Sequence, residues 1–155
     1  MRIQLIAVGT RMPKWVDAGF EEYARRMPRE CGINLVEIPL AKRNKGASTP
    51  RLIASEGEKI LAAIAAGNRV LALDVAGQQW STEQLAVRLG EWLESGRNLS
   101  LLVGGPDGLA TQCRSRADGL WSLSRLTLPH PLVRVLVAEQ LYRAFSIIKG
   151  HPYHK

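Results

Sequence analysis

A chain of 155 residues has room for one domain with a single good-sized core and is too short for two ordinary ones. Its composition is that of a folded soluble protein, and its longest purely apolar run, Ile60 to Ala66, is far below the roughly 20 residues of a membrane span. The formal charge of +7 attracts polyanions, which admits nucleic acid as a partner without deciding for it.

Arg2 to Val8 alternates polar and apolar residues. It predicts a strand broken by Gly9-Thr10, and not a secretion signal. Trp15, Ala18, Tyr23 and Met27 recur at helical spacing, and Pro28 stops that helix. Asn34 to Ile38 reads as a short strand, and Leu40 to Pro50 as a basic loop carrying Lys42, Arg43 and Lys45. A helix from Arg51 to Ala66 is expected to close on Gly67-Asn68 as a left-handed cap.

Arg69 to Val75 is a mostly apolar strand, as expected where helices cover both faces. Ser81-Thr82-Glu83-Gln84 matches a capping box, opening a helix that Gly96 stops. Asn98 to Val103 predicts a second buried strand, followed by Gly104-Gly105-Pro106-Asp107-Gly108. A short helix near Thr111 to Ala117 leads to a strand at Leu120 to Leu123 and a loop from Ser124 to Pro129. Pro131 suits the first turn of a long helix running to Lys149, and the tail is Gly150-His151-Pro152-Tyr153-His154-Lys155.

Strands alternating with helices predict a single α/β domain over residues 1–155 with a largely parallel sheet. Ligands of such sheets sit beyond the carboxyl ends of the strands. Three binding turns follow: Asp74 to Gln78, Gly104 to Gly108, and Ser124 to Pro129. Cys31 and Cys113 form neither a C-x-x-C pair nor a disulfide framework, which points to reduced thiols and the cytoplasm.

Glycines directly after a buried strand let backbone approach a ligand; the alternative is a tight turn that merely reverses the chain. The cluster is neither G-x-G-x-x-G nor a phosphate loop, so dinucleotide and NTP readings lose support. All three histidines, His130, His151 and His154, lie after the last strand, with no spacing that suggests a metal. His130 stands between two prolines, where its direction is fixed; His151 reads equally as a solvated tail residue. The last helix is apolar nearly all round and needs cover on several sides. That cover is either a partner subunit or a central position within one chain.

Gly104 to Gly108, the run Ser122-Leu123-Ser124-Arg125-Leu126-Thr127-Leu128-Pro129-His130, and the ending from Tyr142-Arg143 to His154-Lys155 together resemble the large-subunit ribosomal RNA methyltransferase H family. These are small, single-domain members of the SPOUT class. Ala7-Val8-Gly9-Thr10 and Leu71-Ala72-Leu73-Asp74 also fit, so the resemblance spans the chain. It implies a SPOUT-type α/β knot, with a C-terminal trefoil knot that no reading of periodicity proposes.

The resemblance further implies a homodimer and S-adenosylmethionine as cofactor, without a metal or a membrane. The cofactor would meet Leu73, Gly104, Gly105 and the stretch Leu123, Ser124, Arg125, Leu126, Thr127 and Leu128. The reaction implied is methylation of N3 of a pseudouridine in large-subunit ribosomal RNA, on assembled ribosomes. Arg143, Tyr153 and His154, with His130 nearby, would orient the base and help remove its N3 proton. Lys42 to Lys45 and the arginines near Arg25 would touch phosphate. Asp107 receives no role. The rivals are a SPOUT methyltransferase acting on another RNA such as transfer RNA, and a non-enzymatic RNA- or ribosome-binding module.

Overall fold

The computed structural model describes all residues, Met1 to Lys155. Five strands form one sheet: β1 (Ile3–Val8), β2 (Ile33–Ile38), β3 (Arg69–Gln79), β4 (Leu99–Val103) and β5 (Gly119–Ser122). Their order across the sheet is β2-β1-β4-β3-β5, and every neighbouring pair is parallel. The carboxyl ends of β1, β3, β4 and β5 therefore open onto one edge of the sheet.

Five helices connect and cover these strands: α1 (Lys14–Ala24), α2 (Thr49–Ala63), α3 (Thr82–Ser95), α4 (Thr111–Arg116) and α5 (His130–Ile148). Strand side chains alternate between faces, and β1 shows how this sorts two cores. Ile3, Leu5 and Ala7 pack with Phe20 of α1, Leu85 and Leu89 of α3, and Val137 and Leu141 of α5. Ile6 and Val8 pack on the opposite side with Ile60 of α2 and Cys113 of α4. The layers are thus α1, α5 and α3 over one face and α2 with α4 over the other.

Local chemistry sets the element ends. Ser81 accepts from the Gln84 amide at 3.1 Å while Gln84 accepts from the Ser81 amide at 2.9 Å, completing the expected capping box. The helix it opens ends on Gly96 with φ of +69°. The left-handed cap expected for α2 does not form. That helix stops at Ala63, Ile64 turns extended, and Gly67 takes its φ of +81° in the following turn. The reason is polar: buried Asn68 must reach Ser100 Oγ at 2.9 Å, and Arg97 takes the carbonyls of Gly67 and Asn68. A longer helix would forfeit those bonds.

α5 lies between α1 and α3, and Gly19 lets it come close. A Cβ on Gly19 would stand 3.2 Å from Val135. α1 and α3 thus cover two sides of this helix within one chain. Leu132 and Leu136 remain only half-buried. Both cysteines are buried and unpaired, and burial pushes the Cys31 thiol up to about 11. No helix is long and apolar enough to cross a membrane.

Candidate active site

The turns predicted beyond β4 and β5 meet around one cavity of about 260 Å³. The third segment, Asp74 to Gln78, is not a turn but the bulged second half of β3, which runs on to Gln79 and also reaches this cavity. β3 contributes Leu73, Asp74 and Val75. Its pairing with β5 shifts register between Leu73 and Gln78, which throws the intervening residues outward over the opening. Gly77 permits this, since a Cβ there would lie 2.6 Å from the Leu120 backbone.

The glycine turn after β4 closes on itself through a Gly108 amide to Gly105 carbonyl bond of 3.0 Å, with Gly108 at a φ of +89°. A Cβ on Gly104 would stand 2.6 Å from the Gly108 backbone, so only glycine fits. The turn does reverse the chain, and it also walls the cavity. The stretch after β5 is braced by Ser122 Oγ donating to the Ser124 carbonyl at 2.9 Å and by the Leu126 amide donating to Ser124 Oγ at 3.0 Å. Leu126 stays 72% exposed at the opening. Trp121 at the base stacks on Trp80, centroids 5.4 Å apart, and Trp80 leans on Trp92 at 6.1 Å.

Asp74 is the one carboxylate on the wall, held by the Ala76 amide at 2.8 Å and by Arg114 at 3.4 Å. His130, the first residue of α5, is the one wall imidazole. One turn along, Arg134 is fully buried; it donates to Gly9 O at 2.8 Å, Val8 O at 3.3 Å and Glu37 at 2.8 Å. Burial first, and then this guanidinium, hold the His130 pKa below its ordinary value. A wider groove of about 520 Å³ between α1 and β2 contains none of the post-strand turns. Asp17, Glu21 and Glu37 along it would repel phosphate.

The far end of α5 carries a second polar group. Glu139 Oε1 takes Arg143 Nε at 2.8 Å, Arg143 Nη2 at 2.6 Å and the Tyr153 hydroxyl at 3.2 Å. Arg143 lies over the Tyr153 ring at 5.0 Å, and Tyr153 packs on Tyr142. His154 Nδ1 lies 2.5 Å from the His151 carbonyl, which leaves Nε2 free of that bond.

A family description, "Predicted SPOUT methyltransferase", matches residues 1–154. The chain belongs to the SPOUT methyltransferase family. It is 54% identical, over the full length of both chains, to "Ribosomal RNA large subunit methyltransferase H" of Marinomonas sp. (strain MWYL1). Its fold is similar to a crystal structure of a methylase family protein from Neisseria gonorrhoeae, with a TM-score of 0.51 and 15% identity. That match covers 91% of this chain and 80% of the other.

In this SPOUT methyltransferase the cavity brings together Leu73, Gly104, Gly105, Leu123, Ser124, Leu126, Thr127, Leu128 and His130. Arg125 is exposed and is not part of the wall. Arg143, Tyr153 and His154 are not there either. From His130 to Arg143 is about 13 helical residues, roughly 20 Å along the axis. Sequence reasoning missed Glu139, although its four-residue spacing to Arg143 on a helix was a usable signal. It also missed Arg134; nothing in the string pairs it with Glu37 and the end of β1.

Proposed function

We propose that this protein transfers a methyl group from S-adenosylmethionine to N3 of a pseudouridine in large-subunit ribosomal RNA. The observation that carries the reading is the convergence of the β3 bulge and the turns after β4 and β5 on one cavity in a chain of this family. The cavity suits that cofactor. Its walls are backbone-rich turns and apolar side chains, which fit an adenine ring and its polar edge. Leu73, Gly104, Gly105 and Leu123 to Leu128, without Arg125, would hold it. When bound, it supplies an electrophilic methyl group.

The chain's own residues have three tasks. The turns fix the direction of attack, and an in-line geometry provides most of what methyl transfer needs. Arg143 orients the target base. His154 would accept the N3 proton through its free Nε2, leaving the N3 electron pair to take the methyl group that the cofactor's sulfonium would supply as its carbon–sulfur bond breaks to leave a thioether. Tyr153 is unsuited to that last role: its hydroxyl already donates to Glu139, and its pKa is pushed up to about 12.

The separation along α5 supports an assembly of two chains. A tail that lies one helix length from its own cavity serves the cavity of a second copy, so the working unit is a homodimer with each site built from two chains. Half-buried Leu132 and Leu136 support such a surface. The family's trefoil knot fits the path of the chain, which leaves edge strand β5 and returns to mid-sheet as α5, between α1 and α3. The net charge and the basic loop favour RNA as the partner, and assembled ribosomes in the cytoplasm complete the proposed setting.

Mapping ribosomal RNA modifications by mass spectrometry, with and without this protein, tests the reading. A methylated pseudouridine that vanishes with the protein supports it, and an unchanged map overturns it. His154→Ala should lower the rate by about 100-fold or more and flatten its pH dependence. An unchanged profile removes His154 from the mechanism.

A further inference from the structure

Asp107 and the basic loop after β2 are drawn together in a way that the reaction does not require. The Arg43 guanidinium has three partners. Nη1 donates to the Ala41 carbonyl of its own loop at 2.8 Å and to Glu56 Oε2 at 3.1 Å, and Nη2 donates to Asp107 Oδ2 at 2.8 Å. Glu56 is buried on α2, its Oε2 also takes the Ala41 amide at 3.0 Å, and its Oε1 has no partner. Arg43 is the only cation paired with that buried carboxylate. Leu40, at the root of the loop, sits where a Cβ on Gly105 would meet it at 3.4 Å. One guanidinium thus ties the loop, α2 and the glycine turn of the cavity together.

We propose that Arg43 and Asp107 form a latch through which the phosphate backbone of bound RNA loosens the cofactor cavity. This rests on reading the cavity as the S-adenosylmethionine site. The two halves of the latch differ in exposure. The Glu56 side chain is 3% exposed, so breaking its pair would strand a buried charge, whereas Asp107 is 37% exposed and yields readily. Lys42 and Lys45 flank Arg43 and draw phosphate to it. A phosphodiester then competes for Nη2, and its charge repels the Asp107 carboxylate. The glycine turn loses its outer tie while the loop keeps its anchor on Glu56. RNA-bound protein accordingly exchanges spent cofactor more readily, and by linkage cofactor weakens RNA binding by the same factor.

Calorimetric titration of S-adenosylmethionine into the wild-type protein and Asp107→Asn, each with and without a short oligouridylate, tests this. An exposed ion pair supports a change of about two- to fivefold. Asp107→Asn alone should weaken cofactor binding by that factor. The oligouridylate should weaken the wild type by a similar factor and leave Asp107→Asn unchanged. Asp107→Ser repeats the test should the first variant fold poorly. Wild-type affinity in the variant, or an equal oligouridylate effect on both proteins, overturns the latch while leaving the cavity's identity intact. A wild-type protein that takes up no S-adenosylmethionine overturns both.

Discussion

Tyr153 and Arg143 share one oxygen: the tyrosine hydroxyl donates to Glu139 Oε1 at 3.2 Å, and Arg143 Nη2 donates to the same atom at 2.6 Å. The phenol is consequently a donor held in place. Burial raises its pKa most, followed by the Glu139 charge and hydrogen bond. In Glu139→Gln the phenol should ionise at lower pH, because the carboxylate's share of the shift is gone. Following phenolate absorbance on alkaline titration measures this; an unmoved midpoint would assign the shift to burial and to neighbouring Tyr23. Tyr153→Phe should retain the wild-type shape of the methylation pH profile between about pH 6 and 9, as no phenolate forms there.

His130 predicts an acid-side loss of stability. Its folded pKa is depressed below the ordinary 6.5 by burial and by Arg134, with Glu37 behind that arginine and Asp74 on the same cavity wall. Between the lowered and ordinary values the unfolded chain binds more protons than the folded one, so stability rises with pH. The contribution is complete above about 6.5 and is lost as pH falls through the folded value. Thermal midpoints measured from about pH 7 down to 5 should fall more steeply for the wild type than for His130→Gln. Parallel slopes would dismiss the effect.

Removing Arg134 should be among the costliest single changes. Arg134→Ala leaves the Val8 and Gly9 carbonyls without their donor, empties a fully buried volume and strips Glu37 of its cation. The expected loss is about 3–5 kcal/mol in urea unfolding. Glu37→Gln should cost less, about 1–3 kcal/mol, because the fully buried guanidinium loses its counter-charge but keeps the two carbonyls and can still bond the amide oxygen. Equal losses would show that the pair, and not the carbonyl contacts, carries the stability.

Gly104→Ala separates site from scaffold. The added methyl would meet Gly108 backbone at 2.6 Å, forcing the turn open at the end of β4. Calorimetry should show S-adenosylmethionine affinity falling by about tenfold or more, with a loss of stability of about 1–3 kcal/mol that leaves the protein folded. Unchanged affinity would move the cofactor away from this turn.

Much of the fold was legible because its signals are local. Ser81 with Gln84, Gly96, Pro28 and the apolar run before Gly104 each act within a few residues of themselves. The cavity was legible for a related reason: turns after parallel strands share one edge, so naming the strands named the wall. What escaped notice depends on partners distant in sequence. Asn68 cuts α2 short because of Ser100, and Arg134 is buried because β1 ends above it with two open carbonyls. Position along α5 was equally silent, since a run of residues does not say that its two ends cannot serve one site. The family resemblance supplied Arg143, Tyr153 and His154; distance along the helix then divided them from His130.

The stack of Trp80 on Trp121 has a practical use. Trp121 belongs to the cavity wall, whereas Trp80 and Trp92 extend the same aromatic array toward α3. A ligand settling against Trp121 alters the emission of coupled indoles, while Trp15, 59% exposed on α1, adds a solvent-quenchable background. The molecule therefore carries its own optical gauge of occupancy. Iodide quenching would silence the Trp15 signal and leave the buried array to report each loading of the site without any attached dye.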